Sequence, residues 1–139
     1  MPREAVTTRH RVLIVDDEES MRLLLARILS KGLKVDVQLA GTCEQAVRLA
    51  ETYVYDAILL DLLMPGMGGQ GVLYEIRHSG PNAATPVIVV SQVTEKEAIH
   101  RCMAAGANAY HAKPVKRAEL VETVKTQIAL RSGAGAASG

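Results

Sequence analysis

Three aspartates and one lysine stand where they could act on a phosphoryl group. Asp61 closes the apolar run Ala57-Ile58-Leu59-Leu60, Asp16 and Asp17 close Val12-Leu13-Ile14-Val15, and Lys113-Pro114 follows Asn108-Ala109-Tyr110-His111-Ala112. Short apolar runs bounded by turn residues read as buried strands. Each polar group then sits at a strand's carboxyl end, where open α/β sheets bind ligands. An acceptor carboxylate must be ionised and in line with its donor, and the charge developing on the equatorial oxygens needs a divalent cation and fixed donors. Mg²⁺ takes oxygen ligands and keeps several waters, so one or two carboxylates beside a phosphorylatable one suit it. Singly, each residue has an ordinary role: an acidic pair caps a helix, an aspartate before Pro65-Gly66 forms a turn, a lysine is solvated. Their coincidence at neighbouring strand ends is what points to a site.

The elements that position them alternate. Arg11 to Val15 reads as a strand. Glu18-Glu19-Ser20 opens a helix through Leu29, with Met21, Leu24, Leu25, Ile28 and Leu29 on one face and Gly32 as its terminal glycine. Val35, Val37 and Leu39 alternate with Asp36 and Gln38, the pattern of an edge strand. Thr42 caps a helix that turns Ala46, Val47 and Ala50 inward. After the strand ending at Asp61, Gly71 to His78 is helical and Ser79-Gly80-Pro81-Asn82 closes it. Val87 to Ser91 is a fully apolar central strand. Thr94 to Glu97 starts a fourth helix that stops at Gly106, and Lys116 to Arg131 forms the last. Five βα units with apolar central strands predict an α/β domain, a doubly wound parallel sheet of five strands. Residues 11–131 form that domain, 1–10 a leader, and 132–139 a flexible tail or linker.

The balance of 16 basic and 15 acidic side chains, net +1, gives no electrostatic argument for nucleic acid or an anionic membrane. At 48% apolar and 22% charged, the chain is globular rather than disordered. No apolar stretch approaches the ~20 residues of a membrane span, and the first eight residues lack the apolar core of a signal peptide. Cys43 and Cys102 have no metal spacing and read as reduced helical cysteines of a cytoplasmic protein. Gly66-Met67-Gly68-Gly69-Gln70-Gly71 spells the dinucleotide fingerprint, but Asp61 to Pro65 separate it from the strand, and the next strand ends in Ser91 rather than an acid. An aspartyl phosphatase would carry a second acid where Leu63 stands.

Taken in order, these residues resemble the response-regulator receiver domain of two-component signalling. Val15-Asp16-Asp17-Glu18 matches the acidic pair, Asp61 to Gly69 the phospho-acceptor loop, Ser91 the strand-end hydroxyl, Tyr110 the switch aromatic, and Lys113-Pro114 the lysine and its proline, over about Arg11 to Arg131. The resemblance implies a flavodoxin-like (βα)5 fold with strand order 2-1-3-4-5 and a cis bond at Lys113-Pro114. It implies that Asp61 accepts a phosphoryl group from a phosphohistidine of a sensor kinase or histidine phosphotransfer protein. Mg²⁺ would be held by Asp17, Asp61 and the Leu63 carbonyl, with Asp16 acting through water. Lys113 and Ser91 would bond the phosphoryl group, and Ser91 with Tyr110 would switch a surface that binds a downstream protein or a second receiver. The expected molecule is not an enzyme, beyond its own phosphotransfer and slow acyl-phosphate hydrolysis. It binds neither nucleic acid nor membrane directly. Gln92 departs from the family's usual small residue, and Leu63 and Val93 put apolar groups beside the site. The alternative is a phosphorylation-independent receiver-like interaction module.

Overall fold

The computed structural model describes residues 9–138, with side chains through residue 131. Five strands, β1 (His10–Val15), β2 (Val35–Ala40), β3 (Ala57–Leu60), β4 (Val87–Ser91) and β5 (Ala109–Ala112), alternate with five helices: α1 (Glu19–Gly32), α2 (Cys43–Thr52), α3 (Gly68–His78), α4 (Lys96–Ala104) and α5 (Arg117–Ser138). The strands form one sheet in the order β2-β1-β3-β4-β5, and every pairing is parallel. The chain thus has the flavodoxin-like topology, with β2 on an edge.

Successive strand residues point to opposite faces, and here both faces are apolar. Leu13, Val15, Ile58, Leu60, Val87 and Val89 pack against α2, α3 and Cys102 of α4. Val12, Ile14, Leu59, Ile88 and Val90 pack on the other side against Leu25, Ile28 and Leu29 of α1 and Leu120 and Val124 of α5. Aliphatic side chains dominate both layers, with Tyr55 fully buried in the first; the chain has no Phe or Trp. Both cysteines are buried and free. Among the described residues no helix is long and apolar enough to cross a membrane.

Thr42 caps α2 as expected, its side chain accepting from the Gln45 amide at 3.1 Å. Other boundaries differ. Strand β1 includes His10, one residue into the expected leader, because its amide bonds the Lys34 carbonyl; residues 1–8 of that leader lie outside the described residues. Gly32 remains inside α1. It is small for another reason: a Cβ there would come within 2.8 Å of the Val121 methyls, where α5 crosses. Helix α3 starts at Gly68 rather than Gly71, and α4 at Lys96 rather than Thr94. Helix α5 continues to Ser138, across residues expected as a tail, over a stretch rich in alanine, the strongest helix former.

A buried polar cluster at the amino ends of β3 and β4 has no counterpart in the expectations, which placed Asn82 in a plain loop. Asn82 is 1% exposed. Its Nδ2 donates to the Ala50 and Tyr53 carbonyls, each at 2.7 Å, and its Oδ1 accepts from the Tyr55 amide at 2.8 Å. One side chain thereby ties the end of α2 to the entry of β3, satisfying groups that would otherwise be costly to bury.

Candidate functional site

The parallel ladder carries Asp16 and Asp61 to the same level. The Asp16 amide continues the β1–β2 pairing to the Ala40 carbonyl, and the Asp61 amide bonds the Val15 carbonyl at 3.0 Å. The strand order reverses between β1 and β3, so these ends flank the switch-point crevice. Lys113 arrives from β5, its amide bonded to the Ser91 carbonyl at 2.9 Å. The peptide bond to Pro114 is cis.

Four of the expected residues meet there. One carboxylate oxygen from each of Asp16, Asp17 and Asp61 lies within 4.8 Å of the others. Lys113 Nζ bonds Asp16 Oδ2 at 2.8 Å and Asp61 Oδ2 at 3.2 Å. Its ammonium is thus shared by two buried carboxylates, while Asp17 is exposed. Burial alone would lower the Lys113 pKa, but the hydrogen bond to Asp16 and the charge of Asp61 outweigh it, and the pKa is raised. The lysine therefore stays cationic. Asp16 Oδ1 also accepts the Glu18 amide at 2.9 Å. With one carboxylate oxygen on Lys113 and the other on backbone, Asp16 is mainly an orienting group. Asp61 keeps a freer oxygen: Oδ1 accepts only the Leu63 amide, at 3.2 Å.

A cavity of about 190 Å³ opens over this cluster, lined by Asp17, Glu18, Asp61, Leu63, Gln92 and Lys113. Three carboxylates against one ammonium leave an excess of negative charge on an all-oxygen donor set. That chemistry fits a hard divalent cation such as Mg²⁺. Leu63 is on the wall, as expected, with its side chain half exposed.

Ser91 and Tyr110 stand just behind. Ser91 is fully buried, and its Oγ accepts the Val93 amide at 3.4 Å. Tyr110 is half-buried against the core, and its hydroxyl donates to the Val93 carbonyl. Burial raises its pKa, with the Ser91 hydroxyl pulling the other way. Through its bond to the Val93 carbonyl the expected switch aromatic reaches the β4–α4 loop.

Sequence reasoning missed three supports. Arg22 Nη1 bonds the Asp16 carbonyl at 2.7 Å. Cys43 Sγ, read only as a reduced helical cysteine, donates to the Pro65 carbonyl at 3.4 Å and pins the acceptor loop to α2. Gly69 sits so close to the end of β3 that a Cβ would come 2.1 Å from the Asp61 carbonyl oxygen. Only the last had a signal, the glycine run after Pro65. The first two depend on contacts between distant segments.

The sequence profile described as the response regulator receiver domain matches residues 12–125. The chain is 40% identical over 117 residues to the sensory/regulatory protein RpfC of Xanthomonas campestris pv. campestris, a match covering 82% of this chain and 16% of RpfC. It is 31% identical over 122 residues to the DNA-binding response regulator MtrA of Mycolicibacterium smegmatis, covering 88% of this chain and 52% of MtrA. The chain thus spans about half of one relative and far less of the other. Among solved structures, the receiver domain of a sensor histidine kinase from Pseudomonas aeruginosa PAO1, with a magnesium ion coordinated in its active-site cleft, matches with a TM-score of 0.79 at 32% identity, covering 87% of this chain and 98% of that one. A CheY-like receiver domain protein from Methanospirillum hungatei JF-1 gives a TM-score of 0.84 at 25% identity, covering 91% and 98%.

Proposed function

Since the chain belongs to the response regulator receiver domain family, we propose that it accepts a phosphoryl group on Asp61 from a phosphohistidine, in a sensor kinase or a histidine phosphotransfer protein. The observation that carries this reading is the Asp61 carboxylate itself. It is 4% exposed, yet it lines an open cavity with one oxygen on the Lys113 ammonium and the other on the Leu63 amide. In the transfer, an Asp61 oxygen forms the new P–O bond while the P–N bond to the donor imidazole breaks, its electron pair staying on nitrogen. Lys113 places a fixed positive charge where the phosphoryl oxygens gain negative charge. A bound Mg²⁺ would offset the remaining charge; Asp17, Asp61 and the Leu63 carbonyl would hold it, with Asp16 acting through water. The product is an acyl phosphate that hydrolyses slowly, so the molecule is a signalling acceptor rather than an enzyme turning over a small substrate. The new charge draws on the Ser91 hydroxyl, and Tyr110 links that movement through the Val93 carbonyl to α4 and β5. That surface is the proposed contact for a downstream protein or a second receiver.

Incubation with Mg²⁺ and phosphoramidate, read by intact mass, tests the reading: the chain should gain one phosphoryl group. No gain would leave the phosphorylation-independent interaction module. Asp17→Asn should weaken Mg²⁺ binding by about tenfold or more, and Asp16→Asn less, because Asp16 is already engaged by Lys113 and Glu18. The chain has no Trp, so calorimetry is the suitable readout. Equal Mg²⁺ affinity in Asp17→Asn and wild type would remove Asp17 from the ligand set.

Gln92 should lengthen the phospho-form's life. It is exposed on the cavity wall, while the Leu63 and Val93 side chains offer no hydrogen bond to orient an attacking water. Gln92→Ala should make the phosphoprotein decay several-fold faster. Slower decay would mean that the glutamine positions the water, as in some GTPases, and would overturn the shielding role.

A further inference from the structure

Helix α1 ends where Gly32 meets Val121 of α5; one cavity opens between α1 and α5 on one side of that contact, and another lies beyond it, between α5 and the turn that leads into β2. One cavity, about 420 Å³, has Ile28 and Val121 on its floor and Lys31 and Arg117 on its rim. The other, about 410 Å³, has Leu33 and Ile128 on its floor and Lys34 and Lys125 on its rim. All four cations are exposed, and among the described residues none forms an ion pair. Acids at the same end of the sheet are already engaged, Asp36 by the Arg9 guanidinium and Asp56 by the Arg11 amide. Helix α5 also sorts its charges. Arg117 and Lys125 line the α1 side, whereas Glu119 and Glu122 line a separate cavity on the β5 side, beside His111. Around these two cavities the chain, of net charge +1, thus gathers four cations that have no ion-pair partner among the described residues.

We propose that the α1–α5 groove docks an acidic amphipathic helix of a partner protein. Its apolar ridge would cover the floor on both sides of Val121, and its carboxylates would meet Lys31, Lys34, Arg117 and Lys125. The α5 stretch from Arg117 to Ala129 is about 18 Å long, which matches roughly three turns of a partner helix. Apolar contact supplies the attraction and the charges supply orientation and on-rate. The groove shares no lining residue with the acceptor cavity, so the proposal does not rest on the phosphorylation reading.

The test is an amide chemical-shift titration of the whole, isotope-labelled chain with a blocked peptide of about 12 residues, one long enough for three turns. The peptide carries Leu at helical i, i+3, i+4, i+7 spacing and Glu elsewhere; a matched peptide replaces each Glu with Lys. The Glu peptide should shift amides of Lys31 to Val35 and Arg117 to Ala129, and the Lys peptide should not bind. Lys34→Glu with Lys125→Glu, both exposed positions, should weaken binding about tenfold, as should raising ionic strength from about 0.05 to about 0.5 M. Should the double variant fail to fold, the two peptides and the salt series on the wild-type chain decide. The proposal is overturned if the Glu peptide does not bind, if the Lys peptide binds equally, or if shifts fall on Ala109 to His111 of β5 while Lys31 to Val35 stay unmoved. It is likewise overturned if the same amides move with protein concentration alone, which would make the occupant a second copy of this chain.

Discussion

Asp61→Asn is expected to abolish phosphoryl incorporation while leaving the fold intact. A carboxamide is neutral and its oxygen carries only a partial negative charge, so it is a far poorer nucleophile than a carboxylate oxygen and a weaker ligand for a hard cation. Loss of activity alone would not separate chemistry from unfolding, so the sign of the stability change matters. Removing one partner of a buried ion pair usually destabilises by several kcal/mol, because it leaves an uncompensated charge. Here Lys113 keeps Asp16 at 2.8 Å, the shorter of its two contacts. Neutralising Asp61 also relieves repulsion among three carboxylates whose oxygens lie within 4.8 Å of one another. The Mg²⁺-free variant should therefore melt at or above the wild-type temperature. Intact mass after phosphoramidate treatment and a thermal melt by circular dichroism check both halves. A phosphorylated Asp61→Asn protein would place the acceptor elsewhere, and a large drop in melting temperature would show that Lys113 depends on Asp61 more than on Asp16.

Gly69→Ala should destabilise the protein and slow phosphorylation together. The added Cβ would lie 2.1 Å from the Asp61 carbonyl oxygen and 2.6 Å from Leu62 Cα. Both are backbone atoms, so no side chain can swing aside. Alanine would gain up to ~1 kcal/mol from reduced freedom of the unfolded chain and better helix propensity. Forcing a methyl group into packed backbone costs ~3 kcal/mol. The steric term wins, by about 2 kcal/mol net, which for a domain of this size lowers the melting temperature by about 8 °C. Relief must come from moving the start of α3 or the end of β3, and the latter carries the acceptor. A melting temperature within about 2 °C of wild type, with an unchanged phosphorylation rate, would show that the loop absorbs the methyl group without disturbing Asp61.

Much of this site was legible beforehand because it depends on local pattern. A parallel strand covered on both faces must be apolar throughout, so Val12 to Val15, Ala57 to Leu60 and Val87 to Val90 stand out as runs, and the first polar residue after each marks the strand's end. Parallel order then brings those ends to one edge of the sheet, which is why Asp16, Asp17, Asp61 and Lys113 were recognisable together. Helix starts were less legible where glycine misleads. Residues 68–70 read as loop by propensity, yet the chain is helical there because only a glycine at position 69 allows α3 to close against β3.

Residue types and spacing were enough to read the alternation of five strands and five helices, the two apolar layers, and the three acids and one lysine that meet at the strand ends. How those residues meet depends on tertiary structure: Lys113 is divided between Asp16 and Asp61, Asp17 is open to solvent, and the Tyr110 hydroxyl donates to the Val93 carbonyl. Tertiary structure alone decided that Asn82 is a buried tie, that Cys43 holds the Pro65 carbonyl, and that the cations of α1 and α5 line one groove. These contacts join residues about 17 to 97 positions apart. Hydrophobic periodicity reports which face of an element is buried, but carries no information on which distant side chain it meets. That pairing is set by strand order and by the volume left between packed helices.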